Sequence, residues 1–462
     1  MARQKEDSME QTKENKMGTM PVNRLLITMS LPMMISMLVQ ALYNVVDSIF
    51  VSRINENALT AVSLAFPIQT LMIAVAGGTC VGVNAVLSKA LGEKDQERAN
   101  NAAASGVILM AISYLLFLAV GLFVTRGFYL SQTSDEQIVQ YGVEYLSVVC
   151  CCSFGLFAQF VFERLLQSTG RTFYIMITQG TGAIINIILD PIFIFGLCGM
   201  PKMGVMGAAA ATVTGQIIAG TLAFVINSRK NTDIHISMKK LHLEREVVGQ
   251  IYKIGVPSMI MQAIGSVMTY GMNLILISFT PTATAVFGVY FKLQSFIFMP
   301  VFGLNNGLVP ILAYNYGAGR RDRFISALKC GIVYAVSIMA VGVVVFHTMP
   351  AVLLGFFEAS NEMLAIGVPA LRIISLCFVM AGFSIVCGTA FQALGNAVYS
   401  MIVSIARQLV VLLPAAYLLS QTGDVTAVWW SFPIAEVVSL VMTVIFLIRI
   451  NGRVIRHIGE ED

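Results

Sequence analysis

Charged residues are scarce in this chain: Asp, Glu, Lys and Arg make up 12% of its 462 residues, about half the share of an ordinary soluble domain. Histidine occurs four times and tryptophan twice. The eight cysteines show no metal-binding spacing, and three of them, Cys150, Cys151 and Cys152, run together inside an apolar segment. A disulfide framework belongs to small secreted domains, so these cysteines read as small apolar packing residues. The chain has no HExxH pair, GxSxG elbow, Walker loop or Cys/His cluster. These absences exclude the familiar hydrolase sites and direct use of ATP, and no cofactor or enzymatic activity is expected. Nothing resembles an ion-channel filter, and no nucleic-acid partner is expected. The stretch ahead of Pro21 is polar, without an apolar core of signal-peptide length.

What the chain does have is apolar length. Hydrophobic residues make up 57% of it and the mean hydropathy is +0.79. With about 20 residues needed to cross a bilayer, twelve spans are predicted, near 24–52, 59–90, 102–125, 138–168, 171–198, 204–228, 249–279, 283–316, 325–354, 362–393, 396–420 and 426–450. Prolines 32, 67, 191, 257, 300, 310, 369, 414 and 433 fall within spans, so kinks are expected. Only Arg53, Arg126 and Lys202 fall in the loops of one side, while basic residues crowd the other. That bias predicts both termini in the cytoplasm. Trp429 and Trp430 fit an interfacial aromatic belt.

The chain also repeats itself. Pro32 and Pro257, Gln167 and Gln392, Gly170 and Gly395, and Tyr174 and Tyr399 are all related by one and the same offset. Six spans per repeat is an even number, so both halves begin on the same side. The predicted fold is an all-α membrane protein of twelve transmembrane helices in two six-helix lobes, related by a pseudo-twofold axis along the membrane normal. The expected divisions are a disordered cytoplasmic tail (1–23), an N-lobe (24–228), a basic cytoplasmic linker (229–248), a C-lobe (249–450) and a cytoplasmic C-terminal tail (451–462).

The stretch Thr181 to Phe195 (TGAIINIILDPIFIF) interrupts an apolar span with Asn186, Asp190 and Pro191. A carboxylate at that depth costs about 2.5–3.5 kcal/mol on insertion scales. Asn186 and Asp190 are four apart and share a helix face. Pro191 lacks an N–H and leaves the Ile187 carbonyl without its helical donor. A carboxylate, a carboxamide and a freed carbonyl together suit a proton or a small hard cation; the alternative is a neutral carboxyl hydrogen-bonded to a neighbouring helix. The other ionisable residues within spans are Asp47, Glu163, Arg164, Lys292, His347, Arg372, Arg407 and Glu436. At the repeat offset Asp47 becomes Met272 and Asp190 becomes Ala415, so the ion-coupling site is expected in the first half. If Asp47 and Asp190 face one cavity they titrate as a coupled pair, able to hold a proton, a sodium ion or a cationic drug, though not two at once. Glu163 is expected to turn inward, and Arg164 to reach the cytoplasmic edge. Lys292, Arg407 and Glu436 read as structural, pairing between helices of the second half or snorkelling, and His347 as interfacial. The 26 methionines suit packing and a cavity that accepts several shapes.

The motifs QALYNVVDSIFV (40–51), FERLLQSTGRT (162–172), INIILDPIFIF (185–195), GVMGAAAATVTGQ (204–216), GLNNGLVPILAYNYGAGR (303–320) and FQALGNA (391–397) resemble the multidrug and toxic compound extrusion (MATE) family, most closely its MepA-like branch. The resemblance covers nearly the whole chain after Met20. It implies two lobes that face inward and outward alternately, exporting organic cations against H+ or Na+. It also implies an N-lobe cation site of Asp47, Asn186, Asp190 and Thr212, with Thr214 as an alternative to the last. Tyr43 and Glu163 fall where cavity residues sit in relatives, so Tyr43, Asp47, Glu163 and Asp190 are the implied substrate contacts. One departure is plain: NorM-like relatives carry acids on spans 7 and 10, whereas span 7 here has none and span 10 only Glu362 at its edge. The expected protein is a monomer in a bacterial cell (inner) membrane, with small organic cations and the lipid bilayer as partners. A lipid-linked precursor flippase of the same wider superfamily is the competing reading.

Overall fold

The computed structural model describes residues 15–236 and 243–460, apart from the side chains of Ser48 and Ser52. Every regular element among them is helical. Twelve spans result, as expected: α1 (Val22–Ser52), α2 (Glu56–Gly92), α3 (Gln96–Phe123), α4 (Glu136–Cys151 with Phe154–Ser168), α5 (Thr172–Phe195), α6 (Val205–Lys230), α7 (Arg245–Ile277), α8 (Pro281–Gly317), α9 (Arg321–Thr348), α10 (Asn361–Ser375 with Phe378–Ala393), α11 (Ala397–Ser420) and α12 (Val425–His457). Helices are the natural solution, because each satisfies its own backbone hydrogen bonds where no water can. The repeat holds at element level: α5 and α11 start at Thr172 and Ala397 and stop at Phe195 and Ser420, both at the offset that relates Pro32 to Pro257.

Two predicted spans are broken helices. α4 bends by 42° and α10 by 47°. At the first break Ser153 Oγ donates to the Cys150 carbonyl at 2.7 Å; at the second, Cys377 Sγ donates to the Ile374 carbonyl at 2.9 Å. Side chains that bond their own backbone compete with the helical ladder. The prolines also divide differently from expectation. Pro32, Pro191, Pro257, Pro300, Pro310 and Pro369 are inside helices, Pro67 sits in a first turn, where a missing N–H costs nothing, and Pro414 lies within the continuous α11. Just ahead of Pro414, residues 406–412 of α11 widen into a π-helix. The register shift takes up backbone groups that a proline leaves without partners.

The first helix of each lobe begins in the other lobe. Leu25, Leu26 and Met29 of α1 are buried in the C-lobe core, while Val51 at its far end belongs to the N-lobe core. In α7, Val247, Ile251 and Ile254 pack in the N-lobe, and Met268, Met272 and Leu276 in the C-lobe. The lobes are therefore joined at the end where both halves of the chain start, and each crossing helix returns to its own lobe beyond it. Lipid tails are as apolar as leucine, so the junction depends on close backbone approach and hydrogen bonds. A Cβ at Gly82 would lie 2.1 Å from the Ile251 carbonyl oxygen, so only glycine permits this contact. Ser30 Oγ donates to the Leu304 carbonyl at 3.2 Å.

The expected tails are corrected in part. Residues 1–14 lie outside the described residues, but from Asn15 the chain is folded, with a short helix at Lys16–Thr19. Asn15 Nδ2 donates to the Thr169 carbonyl of the N-lobe at 3.0 Å. On the C-lobe side, Arg323 Nη2 donates to the carbonyls of Met17 and Met20 at 2.9 and 2.7 Å, Asn315 Nδ2 to Met17 at 3.2 Å, and Arg320 to Gly18. The segment thus straps the two lobes together at the closed end. Burial, and then the nearby Arg171 guanidinium, hold the Lys16 ammonium below the usual lysine range. The C-terminal residues Ile455 and Ile458 are likewise buried in the C-lobe core. Linker residues 237–242 lie outside the described residues; ahead of them Asp233 pairs with Arg171 of the N-lobe. Trp429 is no belt residue: it is fully buried, its ring stacked 6.4 Å from Phe287, whereas Trp430 is exposed.

Gly82→Val should prop the lobes apart at the strapped end. Spin labels placed there on α2 and α7 should show a longer interlobe distance than in the wild type. Label pairs within one lobe should be unchanged.

Candidate functional site: a carboxylate pair in the N-lobe

Asp190 is fully buried and Asn186, one turn earlier on α5, is 2% exposed. In the amide orientation that satisfies both neighbours, Asn186 Nδ2 donates to Asp190 Oδ2 at 3.0 Å. The Asn186 carbonyl oxygen accepts from Thr212 Oγ1 at 3.1 Å and from the Thr212 backbone N–H at 2.9 Å. The amide thus ties α5 to α6 while holding the carboxylate still. Thr214 is not part of this group: its hydroxyl donates to the Ala210 carbonyl on its own helix at 2.7 Å.

Asp47 arrives from α1, and its carboxyl lies in direct interaction with that of Asp190. Tyr43, one turn away on the same face, places its hydroxyl beside Thr212 and both aspartates. The structure therefore brings together Tyr43, Asp47, Asn186, Asp190 and Thr212, contributed by α1, α5 and α6. Among the described residues neither aspartate forms an ion pair, and Asp47 Oδ1 and Asp190 Oδ1 have no hydrogen-bond partner. Two carboxylates facing each other in an apolar bundle cannot both stay ionised without a positive neighbour. Their arrangement can share one proton as a carboxyl–carboxylate hydrogen bond, or accept a cation with the Asn186 and Thr212 oxygens close by.

Glu163 turns inward as expected, but away from this group. It accepts hydrogen bonds from Gln159 at 3.0 Å, Thr178 at 2.7 Å and Gln179 at 2.8 Å. Thr178 precedes Asn186 by two helical turns, roughly 12 Å along α5, so Glu163 forms a separate buried carboxyl. Arg164, near the Ser168 end of α4, donates to Gln167 at 2.6 Å and crosses to Asn306 of the C-lobe at 3.4 Å. One neighbour escaped the sequence reading. Tyr145 of α4 stands near Asp47 and accepts from Gln69 at 3.0 Å; no spacing links residues so far apart in the chain. In the C-lobe, Lys292 lies over the Phe357 ring at 5.8 Å, Arg372 donates to the His347 carbonyl at 3.3 Å, and Arg407 pairs with Glu436 at 3.7 Å.

Replacing Asn186 by leucine removes a donor from Asp190 and an acceptor from Thr212 at once. Leaving buried polar groups without partners costs about 1–3 kcal/mol. Thermal unfolding of the purified variant should show that loss, whereas Thr214→Val should unfold within a degree or two of the wild type.

Comparison with known proteins agrees with this architecture. The MatE family model matches residues 32–192 and again 257–418, two segments whose starts repeat the offset of the duplicated halves. The multidrug export protein MepA of Staphylococcus haemolyticus is 27% identical over 423 residues, covering 91% of this chain and 92% of that protein. MepA of a bovine strain of Staphylococcus aureus is 27% identical over 446 residues, covering 93% and 94%. A solved outward-facing multidrug resistance MATE transporter superposes with a TM-score of 0.89 at 26% identity, covering 96% of this chain and 98% of its own. Two copies of the family pattern, laid over two six-helix lobes, leave one assignment: the chain belongs to the MatE family of multi-pass membrane transporters, as a MepA-like member.

Proposed function

We propose that this chain is a multidrug efflux protein working as a secondary antiporter, exporting amphipathic organic cations in exchange for H+ or Na+ by alternating access. The observation that carries the reading is the Asp47/Asp190 pair: two carboxyls on different helices, in direct interaction, with no ion-pair partner among the described residues. The names of the MepA relatives and of the matched transporter support the efflux part.

The exchange follows from electrostatics. With one proton between them, Asp47 and Asp190 share a hydrogen bond and carry a single charge. With none, two negative charges face each other and favour a cation, either Na+ held with Asn186 and Thr212 or the positive group of a drug beside Tyr43. Glu163 is a further substrate contact in this proposal, two turns along the same lobe. Ion and drug compete for the same charge, and a bound ligand shifts the lobes only by its difference in affinity between the two arrangements. α1 provides the connection, because Asp47 lies on a helix whose opposite end is buried in the C-lobe. The lobes are joined at the end bearing the strap. In this proposal that end is cytoplasmic, both termini are inside a bacterial inner membrane, and the transporter acts as a monomer without cofactor.

Asp190→Asn should abolish export of a fluorescent organic cation from cells while the protein still reaches the membrane at near wild-type levels; normal export would remove Asp190 from the mechanism. In inside-out vesicles, a proton gradient and a sodium gradient imposed separately identify the coupling ion. Movement under neither gradient would favour the lipid-flippase reading.

A further inference from the structure

The C-lobe contains a buried carboxylate of its own. Glu436 on α12 is 6% exposed, and at the repeat offset it falls beside the counterpart of Thr212, which is Val437. Arg407 on α11 stands one turn ahead of Val411, the counterpart of Asn186, and reaches Glu436 at 3.7 Å. The pair therefore spans the α11–α12 interface, just as Asn186 and Thr212 span α5–α6. Arg407 also lies in the first turn of the π-helix, whose wider turns offset the side chains of 406–412 from regular α positions. Around the pair stand Tyr290 of α8 and Cys377 at the α10 break. Glu436 Oε1 faces the Arg407 guanidinium and Ser439 stands beside the carboxyl, while the buried hydroxyl of Thr443 further along α12 has no hydrogen-bond partner. This is a second intramembrane carboxylate with hydroxyl oxygens nearby; unlike the N-lobe group it is a single acid, and its cation is part of the chain.

We infer that Arg407 is a tethered counter-cation that occupies a latent cation site at Glu436, and so keeps the C-lobe from taking up a free cation. A guanidinium fixed by its own helix has a far higher local concentration than any ion in solution, so exchange with outside cations is suppressed while it is in place. No such group pairs with Asp47 or Asp190 among the described residues, and their negative charge is left for a mobile partner. The asymmetry of the two lobes then lies in this arginine as well as in the replacement of Asp47 and Asp190 by Met272 and Ala415 at the repeat offset. This inference rests on the proposed N-lobe coupling only in assigning exchange to that lobe; the latent site stands on the C-lobe residues themselves.

The test uses the purified full-length chain and two probes, methylguanidinium and tetraphenylphosphonium. Arg407→Ala opens the site, and methylguanidinium should raise its unfolding temperature with an apparent affinity at least tenfold tighter than for the wild type. Adding Glu436→Gln to that variant should cancel the effect. Asp47→Asn/Asp190→Asn introduced with Arg407→Ala should lower tetraphenylphosphonium binding but leave the methylguanidinium response intact. Should tetraphenylphosphonium binding ignore the two aspartates while methylguanidinium still depends on Glu436, the N-lobe reading fails and this one stands. A folded Arg407→Ala that responds to methylguanidinium no better than the wild type overturns the inference. Arg407→Gln, which keeps donors without the charge, guards against misfolding. If both variants fold only with methylguanidinium present the latent site is supported, and if neither folds even then it is refuted.

Discussion

A negative charge inside an apolar bundle has to be matched by something, and whether that partner is built in or mobile governs this molecule. In the N-lobe Asp190 is fully buried and interacts with a second carboxyl rather than a base. Desolvation of an ionised carboxylate is expensive, and removing one partner of a buried pair is costlier than never having had it. The lobe answers with hydrogen bonds that orient but do not neutralise: Asn186 to Asp190, and Thr212 to Asn186. Among the described residues no basic side chain neutralises the group.

One of the two carboxylates, Asp47, sits on α1, a helix shared by the two lobes. Its first turns are core residues of the C-lobe, and its last belong to the N-lobe. Asp47 therefore lies on a helix that both lobes hold. α7 makes the reciprocal crossing, so the closed end is secured twice. Tight glycine contacts and the hydrogen-bonded strap from Asn15 to Met20 can be made only with the lobes together at that end. Such contacts are either made or broken, which gives the lobe arrangement discrete states rather than a continuous range.

The duplicated halves share a frame and differ in charge. α5 and α11 match in length and offset, and the breaks of α4 and α10 recur at corresponding positions. In the N-lobe the frame holds an unpaired acid pair; in the C-lobe it holds an acid paired with an arginine on a π-turn. Duplication supplies the common frame, and the two lobes fill it with unequal charges.

Span number, helix type, the two-lobe repeat and the placement of Asp47, Asn186 and Asp190 within spans of the first half were legible in the sequence by itself. Each rests on something local or periodic: apolar length set by bilayer thickness, a fixed offset, and polar residues too costly at that depth to be incidental. Tertiary structure decided the rest. Nothing local distinguishes Thr212 from Thr214; the packing of α6 against α5 does. The separation of Glu163 from the aspartates, the burial of Trp429, the folding of Asn15–Met20 between the lobes and the approach of Arg407 to Glu436 all depend on which surfaces meet. Those contacts join residues far apart in the chain, and no spacing along it encodes them.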